Sequence, residues 1–185
     1  MLRVILLSII MLAGVMLIAR GMGPDEVAVN EAIILAELNQ EQGRDYYQQF
    51  ARQDDVMEWA DGILVRLHRQ GSGPKPEPDD LIALHFQGYY PDGRLYIDSR
   101  RWSAPPVISL NQTISGWQTV LKDLPMGSKA EIVLSPRYAY GRAGGGVIGP
   151  EQTLRFVIEP MEVIPPQEIN PEEIDPLQQR APGVA

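Results

Sequence analysis

The sequence contains no cysteine and only two histidines, His68 and His85, among its 185 residues. The absence of cysteine excludes disulfide bonds, iron–sulfur clusters, thiolate zinc sites and a cysteine nucleophile. Two histidines are too few for a metal site built from histidine, and the chain has no G-x-S-x-G motif that would indicate a serine hydrolase. We therefore expect a protein that uses no metal and no cofactor.

Positive charge is also scarce. The 16 Lys and Arg residues stand against 24 Asp and Glu residues, which gives a formal net charge of -8. Binding to nucleic acid depends on Lys and Arg side chains that release counterions from phosphates, so this balance argues against a nucleic acid partner. The glycine-rich segment 141–146 lacks the Gly-Lys-Ser/Thr ending of a phosphate-binding loop.

One long uncharged run occupies residues 4–19, between Arg3 and Arg20. At ~1.5 Å per residue it spans roughly 24 Å, which is shorter than the ~30 Å hydrocarbon core of a bilayer. The small residues that follow it do not form an A-x-A-like cleavage site. We predict an uncleaved membrane anchor over residues 1–22, with the N-terminus inside and the body outside. A cleaved signal peptide that releases the body from the membrane is the alternative.

Apolar residues at helical spacing predict a helix over residues 25–39, after the anchor. We expect Gly43 to end this helical region and a short second helical segment to follow. We interpret residues 23–60 as a helical stalk or linker. The apolar stripe over residues 25–38 either packs on its own domain or pairs with a second copy, which would give a homodimer.

The body is predicted over residues 61–164, where apolar and polar residues alternate with a period of two. Residues 115–124 are the one helical interval within it. The pattern predicts an α+β fold with a mostly antiparallel sheet around one short helix. The predicted strands occupy residues 63–68, 81–90, 95–99, 107–110, 129–134 and 153–163. Residues 165–185 hold five prolines and four acids, and we predict a disordered Pro-rich acidic tail.

A series of separated motifs occurs in a fixed order along about 100 residues of the body. They include L-H-F-Q-G (84–88), I-D-S (97–99), I-S-G-W (114–117), A-Y-G (139–141) and T-L-R-F (153–156). In this order they resemble the FKBP-type peptidyl-prolyl cis-trans isomerases. The segment around Asn39 and Gly43 resembles the helix-to-domain junction of the macrophage infectivity potentiator and FkpA-like subgroup, whose members lie in the periplasm or at the cell surface. The resemblance therefore implies a bacterial inner-membrane anchor with the body facing the periplasm, or release into the periplasm if the segment is cleaved.

This resemblance implies an FKBP-like, half-wrapped antiparallel sheet around one short helix, with an apolar pocket for the substrate proline over the helix. The implied substrate-binding residues are Phe86, Ile97, Val107, Trp117, Ile148 and Phe156, with Trp117 as the floor. The resemblance also implies that Tyr140 and the Ile114 backbone N–H hold the substrate chain. Asp98 would orient the substrate and set the polarity of the pocket, without transferring a proton.

The implied activity is isomerisation of Xaa-Pro bonds in exported proteins, without a covalent intermediate. Macrolide inhibitors would compete for the same pocket. Ile97 and Val107 stand where aromatic residues are usual in the family, so we expect a roomier and less aromatic pocket. A catalytically weak chaperone or binding module with the same fold is therefore the alternative, and a structural stalk protein is the third reading.

Overall fold

The computed structural model of the chain describes residues 24–164. The predicted anchor, residues 1–22, and the predicted tail, residues 165–185, lie outside the described residues. Within the described part of the chain, no helix combines the length and the apolar character needed to cross a membrane.

Seven antiparallel strands form one sheet. Their bounds are β1 Val56–Ala60, β2 Ile63–Arg69, β3 Leu81–Tyr89, β4 Leu95–Asp98, β5 Val107–Ser109, β6 Lys129–Leu134 and β7 Leu154–Ile164. The spatial order is β1-β2-β6-β7-β3-β4, and β5 also pairs with β3. The six strands predicted from alternation are confirmed. Strand β1 was not predicted and lies in the range that we assigned to the linker. Its residues do not alternate between buried and exposed positions, so the period of two does not reveal it.

A short helix, α2 (Ser115–Leu121), packs on the concave face of the sheet. Strand β3 turns Ile82, Leu84 and Phe86 toward this helix, since alternate residues of a strand point to the same face. The side chains of Trp117, Val120 and Leu121 are buried against them. The predicted α+β fold, with an antiparallel sheet on one short helix, is confirmed.

The long helix α1 (Pro24–Ala51) is continuous. The prediction that Gly43 ends the helical region is therefore wrong. Gly43 instead lets the helix approach the start of β7, because a Cβ atom at this position would collide with the Thr153 side chain. The C-terminal part of α1 packs on the convex face of the sheet, where Phe50 forms a buried cluster with Leu64 and Val133. The sheet thus has a helix on each face.

Candidate functional site

A cavity of about 440 Å³ lies between α2, strands β3 to β5 and the segment that follows β6. Its volume falls in the range of ~300 to 1,000 Å³ that is typical of small-molecule pockets. Most of its lining is apolar. Seven of the nine predicted site residues line it, namely Phe86, Ile97, Val107, Ile114, Trp117, Tyr140 and Phe156.

Trp117 lines the cavity and is 5% exposed. Its indole ring meets Phe86 and Phe156 edge to face, with ring centroids 5.0 and 5.2 Å apart. Edge-to-face pairs at this separation are favourable and fix the orientation of the rings. The indole Nε1 has no hydrogen-bond partner among the described residues. The result is a flat, rigid apolar surface.

Two polar groups border this apolar surface. Tyr140 is 43% exposed and borders the cavity. Burial of the rest of its side chain raises the pKa of its hydroxyl, which therefore remains a neutral donor at physiological pH. The carbonyl of Ile114 accepts hydrogen bonds from the N–H groups of Trp117 and Gln118. Among residues 24–164, no hydrogen bond from the Ile114 N–H is found.

Asp98 lies outside the lining of the cavity. It pairs with Gln87, which faces away from Phe86 on β3, and its Oδ2 atom accepts a hydrogen bond of 3.0 Å from Gln87 Nε2. Its Oδ1 atom accepts from the Arg100 N–H, also at 3.0 Å, and so caps the 3-10 turn Ser99–Arg101. The carboxylate is therefore occupied by protein groups on the side of β4 away from the cavity.

Ile148 also lies outside the cavity lining, although it is buried, with 5% exposure. Its N–H donates to the Gly145 carbonyl and its carbonyl accepts from the Gly145 N–H. Its side chain belongs to the hydrophobic core that also contains Trp117 and Phe156. It therefore supports the segment beside the cavity rather than the cavity wall.

Tyr96 lines the cavity, although it is not one of the nine predicted site residues. Opposite Gly88 and Tyr89, strand β4 carries one extra residue, because Gly88 pairs with Ile97 and Tyr89 pairs with Leu95. The resulting β-bulge lets both Tyr96 and Ile97 contribute to the wall. A Cβ atom on Gly88 would lie 2.6 Å from Tyr96 Cζ, so only glycine accommodates the ring.

The Tyr96 ring gives the wall an aromatic member. Its centroid lies 6.3 Å from that of Phe156 in an edge-to-face arrangement. Burial, assisted by the Tyr140 and Tyr90 hydroxyls, raises its pKa well above the usual range for tyrosine. Its hydroxyl has no hydrogen-bond partner among the described residues. The signal in the sequence is the length of the segment between Gly93 and Asp98, which holds one residue more than its pairing with β3 requires.

Ile108 is a second wall residue that the sequence reading missed. It pairs with Ile82 across β5 and β3, so its side chain joins the concave face and is 6% exposed. The strand pattern could have identified it, because directly paired residues lie on the same face of a sheet. The rim is completed by Leu81, Ser109, Gln112 and Thr113.

Comparison with known proteins shows which family the chain belongs to. The model of the family described as FKBP-type peptidyl-prolyl cis-trans isomerase matches residues 73–160. The solved structure of a peptidyl-prolyl cis-trans isomerase from Pseudomonas syringae is 32% identical, with a TM-score of 0.64, and the match covers 70% of this chain and 96% of that chain. The chain belongs to the FKBP family.

Similarity extends beyond the matched domain. FkpA of Escherichia coli K12, an FKBP-type peptidyl-prolyl cis-trans isomerase, is 31% identical over 127 residues, which cover 69% of this chain and 47% of that protein. The crystal structure of Escherichia coli FkpA matches with a TM-score of 0.73 and covers 76% of this chain and 66% of that chain. Outer membrane protein MIP of Legionella longbeachae is 29% identical over 69% of this chain and 55% of its own length. The chain thus spans about half the length of these curated relatives.

Proposed function

We propose that this FKBP-family chain is a peptidyl-prolyl cis-trans isomerase that accelerates rotation about Xaa-Pro bonds. The main observation in support is the flat indole ring of Trp117 at the floor of an apolar cavity. Phe86 and Phe156 pack against this ring edge to face and hold it in place. A pyrrolidine ring is small, flat and apolar, so it matches this surface. The reaction makes and breaks no bond, and the site accordingly needs no nucleophile.

The apolar lining supplies the catalytic effect. Rotation must cross a barrier of ~18 to 20 kcal/mol, most of which is lost amide resonance. A planar amide carries more charge separation than a twisted one, so removal of water from its carbonyl destabilises the planar form more. Each ~1.4 kcal/mol of this difference is worth a factor of ten in rate. The walls that exclude water are aromatic at Phe86, Tyr96 and Phe156 and aliphatic at Ile97 and Val107.

Tyr140 and Ile114 hold the substrate backbone. The neutral Tyr140 hydroxyl and the unused Ile114 N–H are donors, and a peptidyl-prolyl segment offers carbonyl acceptors on both sides of the ring. Fixing the flanking chain confines the rotation to one bond, which is a gain in orientation. Asp98 acts indirectly. Its hydrogen bonds with Gln87 and the Arg100 N–H fix the turn that follows Ile97, which is part of the cavity wall.

A catalytically weak binding module is the second candidate. Part of the cavity wall consists of the aliphatic side chains of Ile97, Val107 and Ile108. Such a wall can bind an apolar segment without fitting closely around the twisted amide, so binding need not accelerate rotation. Tyr96 opposes this candidate because it adds an aromatic wall beside Phe156. Both candidates bind proline-containing segments of exported proteins in this cavity, and both allow a macrolide inhibitor to compete there.

The deciding experiment is exchange NMR on an Ala-Leu-Pro-Phe-type peptide with the full chain in a mild detergent. Accelerated cis-to-trans exchange that falls in Trp117→Ala and in Tyr140→Phe is the result expected of an isomerase with this site. Tyr47→Phe is the matched control, because Tyr47 contacts Gly62 near the convex face and lies outside the cavity. A folded chain that binds the peptide without accelerating exchange would favour the binding module.

The proposed location is the bacterial periplasm, with residues 1–22 as an inner-membrane anchor. The uncharged run of residues 4–19 supports the anchor. The name of the Legionella longbeachae relative, outer membrane protein MIP, supports a location in the cell envelope. Protease treatment of spheroplasts should digest the body, and the mass of the isolated chain should include residues 1–22. A mass that lacks this segment would show that it is a cleaved signal peptide.

Self-association through residues 25–38 is proposed from the exposed apolar side chains of α1. Val29, Ile33, Leu35 and Leu38 are between 41% and 58% exposed. Several large apolar residues on one exposed helix favour burial against a partner helix. Light scattering should give the mass of a dimer, and Ile33→Glu should convert it to a monomer. A monomeric parent chain at micromolar concentration would contradict this proposal.

A further inference from the structure

The segment that carries Tyr140 is a loop with little conformational preference of its own. Between β6 and β7 it contains Gly141, Gly144 and Gly146, all with positive φ. Glycine adopts this backbone region readily but loses more entropy than other residues when it is fixed. The shape of the loop therefore depends on contacts with the rest of the protein.

Within the loop, the Tyr140 ring depends on the hairpin that follows it. Gly145 and Ile148 exchange two hydrogen bonds of 2.8 and 2.9 Å, which close a tight hairpin. The Tyr140 ring packs over Gly145, since a Cβ atom there would lie 3.3 Å from Tyr140 Cδ1. A shift of the hairpin would therefore shift Tyr140 at the border of the cavity.

Helix α1 fixes the C-terminal end of this hairpin through Asn39. Asn39 is 7% exposed, and its Nδ2 atom donates a hydrogen bond of 2.8 Å to the Pro150 carbonyl. The Asn39 amide also packs on Gly149, where an added Cβ would lie 2.8 Å from Nδ2. A buried polar side chain that bonds the backbone 111 residues away fixes that backbone in position.

The helix provides a rigid support for this contact. Two turns after Asn39 on α1, the Tyr47 hydroxyl accepts a hydrogen bond of 3.1 Å from the Gly62 N–H. One turn further, Phe50 is buried against Leu64 on the convex face. The contact between Asn39 and Pro150 is therefore made by an element that is anchored on the sheet.

We propose that Asn39 is a positioning residue for the isomerase site, which acts through Pro150 and the hairpin to hold Tyr140 at the cavity. The inference rests on the proposed function, because it takes Tyr140 as the group that holds substrate. It makes the efficiency of the site depend on the helix that precedes the domain. Asn39 itself lies outside the cavity lining.

The test is a double-mutant cycle on the full chain in detergent, with kcat and KM from exchange NMR. Tyr140→Phe should lower kcat/KM about fivefold, the factor for one neutral hydrogen bond. Asn39→Ala should lower kcat/KM by up to the same factor, mainly through a higher KM. In the Tyr140→Phe background, Asn39→Ala should have no further effect on kcat/KM, although it should lower the melting temperature equally in both backgrounds.

Two further variants separate positioning from stability. Gly149→Ala drives a methyl group into the Asn39 amide and should raise KM in the same way. Tyr47→Phe removes one hydrogen bond from the same helix, but Phe50 still packs against Leu64 and keeps the helix on the sheet, so the melting temperature should fall with no change in KM.

The possible failures are distinguishable. Equal losses of kcat/KM from Asn39→Ala with and without the Tyr140 hydroxyl would overturn the positioning role. An unchanged KM in Asn39→Ala, while Tyr140→Phe raises it, would also overturn that role and leave the proposed function intact. Unchanged kinetics in Tyr140→Phe would remove the site assignment together with the inference.

Discussion

Replacement of Tyr96 by phenylalanine should stabilise the folded protein. The Tyr96 hydroxyl is buried in the cavity wall and has no hydrogen-bond partner among the described residues. In the unfolded chain the same hydroxyl is solvated by water, so folding removes its hydrogen bonds without replacing them. Phenylalanine keeps the ring over Gly88 and against Phe156 and removes only the unsatisfied group.

The expected size follows from the cost of a buried unsatisfied hydroxyl. That cost is about 1 to 3 kcal/mol, and the wall relaxes in part, so we expect Tyr96→Phe to raise the free energy of unfolding by about 1 kcal/mol. For a domain of this size the melting temperature should rise by about 4 °C. Urea denaturation, followed by tryptophan fluorescence at a fixed m-value, measures the change directly.

Tyr90 offers a matched control with the opposite sign. Its ring centroid lies 5.0 Å from that of Tyr96, but its hydroxyl donates a hydrogen bond of 2.6 Å to the Val147 carbonyl. Tyr90→Phe should therefore lower the free energy of unfolding by about 0.5 to 1 kcal/mol. A loss of stability in both variants would refute the reasoning, because it would show that the Tyr96 hydroxyl is satisfied in the folded protein.

Three further outcomes follow from the same region and from the charged edge of the sheet. Gly88→Ala should lower the free energy of unfolding by about 1 to 3 kcal/mol in urea denaturation, since its Cβ would displace the Tyr96 ring. Burial holds the pKa of Tyr96 in the folded protein above 10.0, the value of an exposed tyrosine. The free energy of unfolding should therefore fall as pH rises past 10.0, because the unfolded chain then loses this proton more readily. Tyr96→Phe should reduce this fall in alkaline denaturation curves. Burial opposes ionisation of Glu159, but hydrogen bonds from Lys129 and Arg100 outweigh it and lower the pKa of Glu159. The contribution of the Glu159 carboxylate to the free energy of unfolding should therefore be lost as pH falls below 4.5. Acid denaturation of Glu159→Gln should lack this loss.

The strands and α2 could be predicted because their local pattern agrees with their tertiary environment. Strand β3 alternates between buried and less buried residues over its whole length, and α2 turns Trp117, Val120 and Leu121 to one side. Strand β1 and the unbroken α1 could not be predicted in this way. The environment of Gly43 is set by Thr153, which is 110 residues away and invisible to a local reading of the chain.

The candidate site could be predicted where residue type alone decides the position, and not where backbone register does. Trp117, Phe86 and Phe156 reach the cavity because large apolar side chains on the concave face have no other place to pack. A single extra residue in β4 decides the orientation of the next side chains, since one step along a strand reverses the face. The bulge brings Tyr96 into the wall, and Asp98 turns toward Gln87 on the other side.

Residues that line the cavity also contain polar groups that lower the stability of the folded protein. The described residues include three buried side-chain polar atoms without a hydrogen-bond partner, and two of them, Tyr96 Oη and Trp117 Nε1, belong to cavity-lining residues. Each such atom costs about 1 to 3 kcal/mol, which an apolar residue of the same shape would avoid. Tyr96→Phe tests this cost directly, because it removes one of the two unpaired atoms and leaves the aromatic ring in the cavity wall beside Phe156.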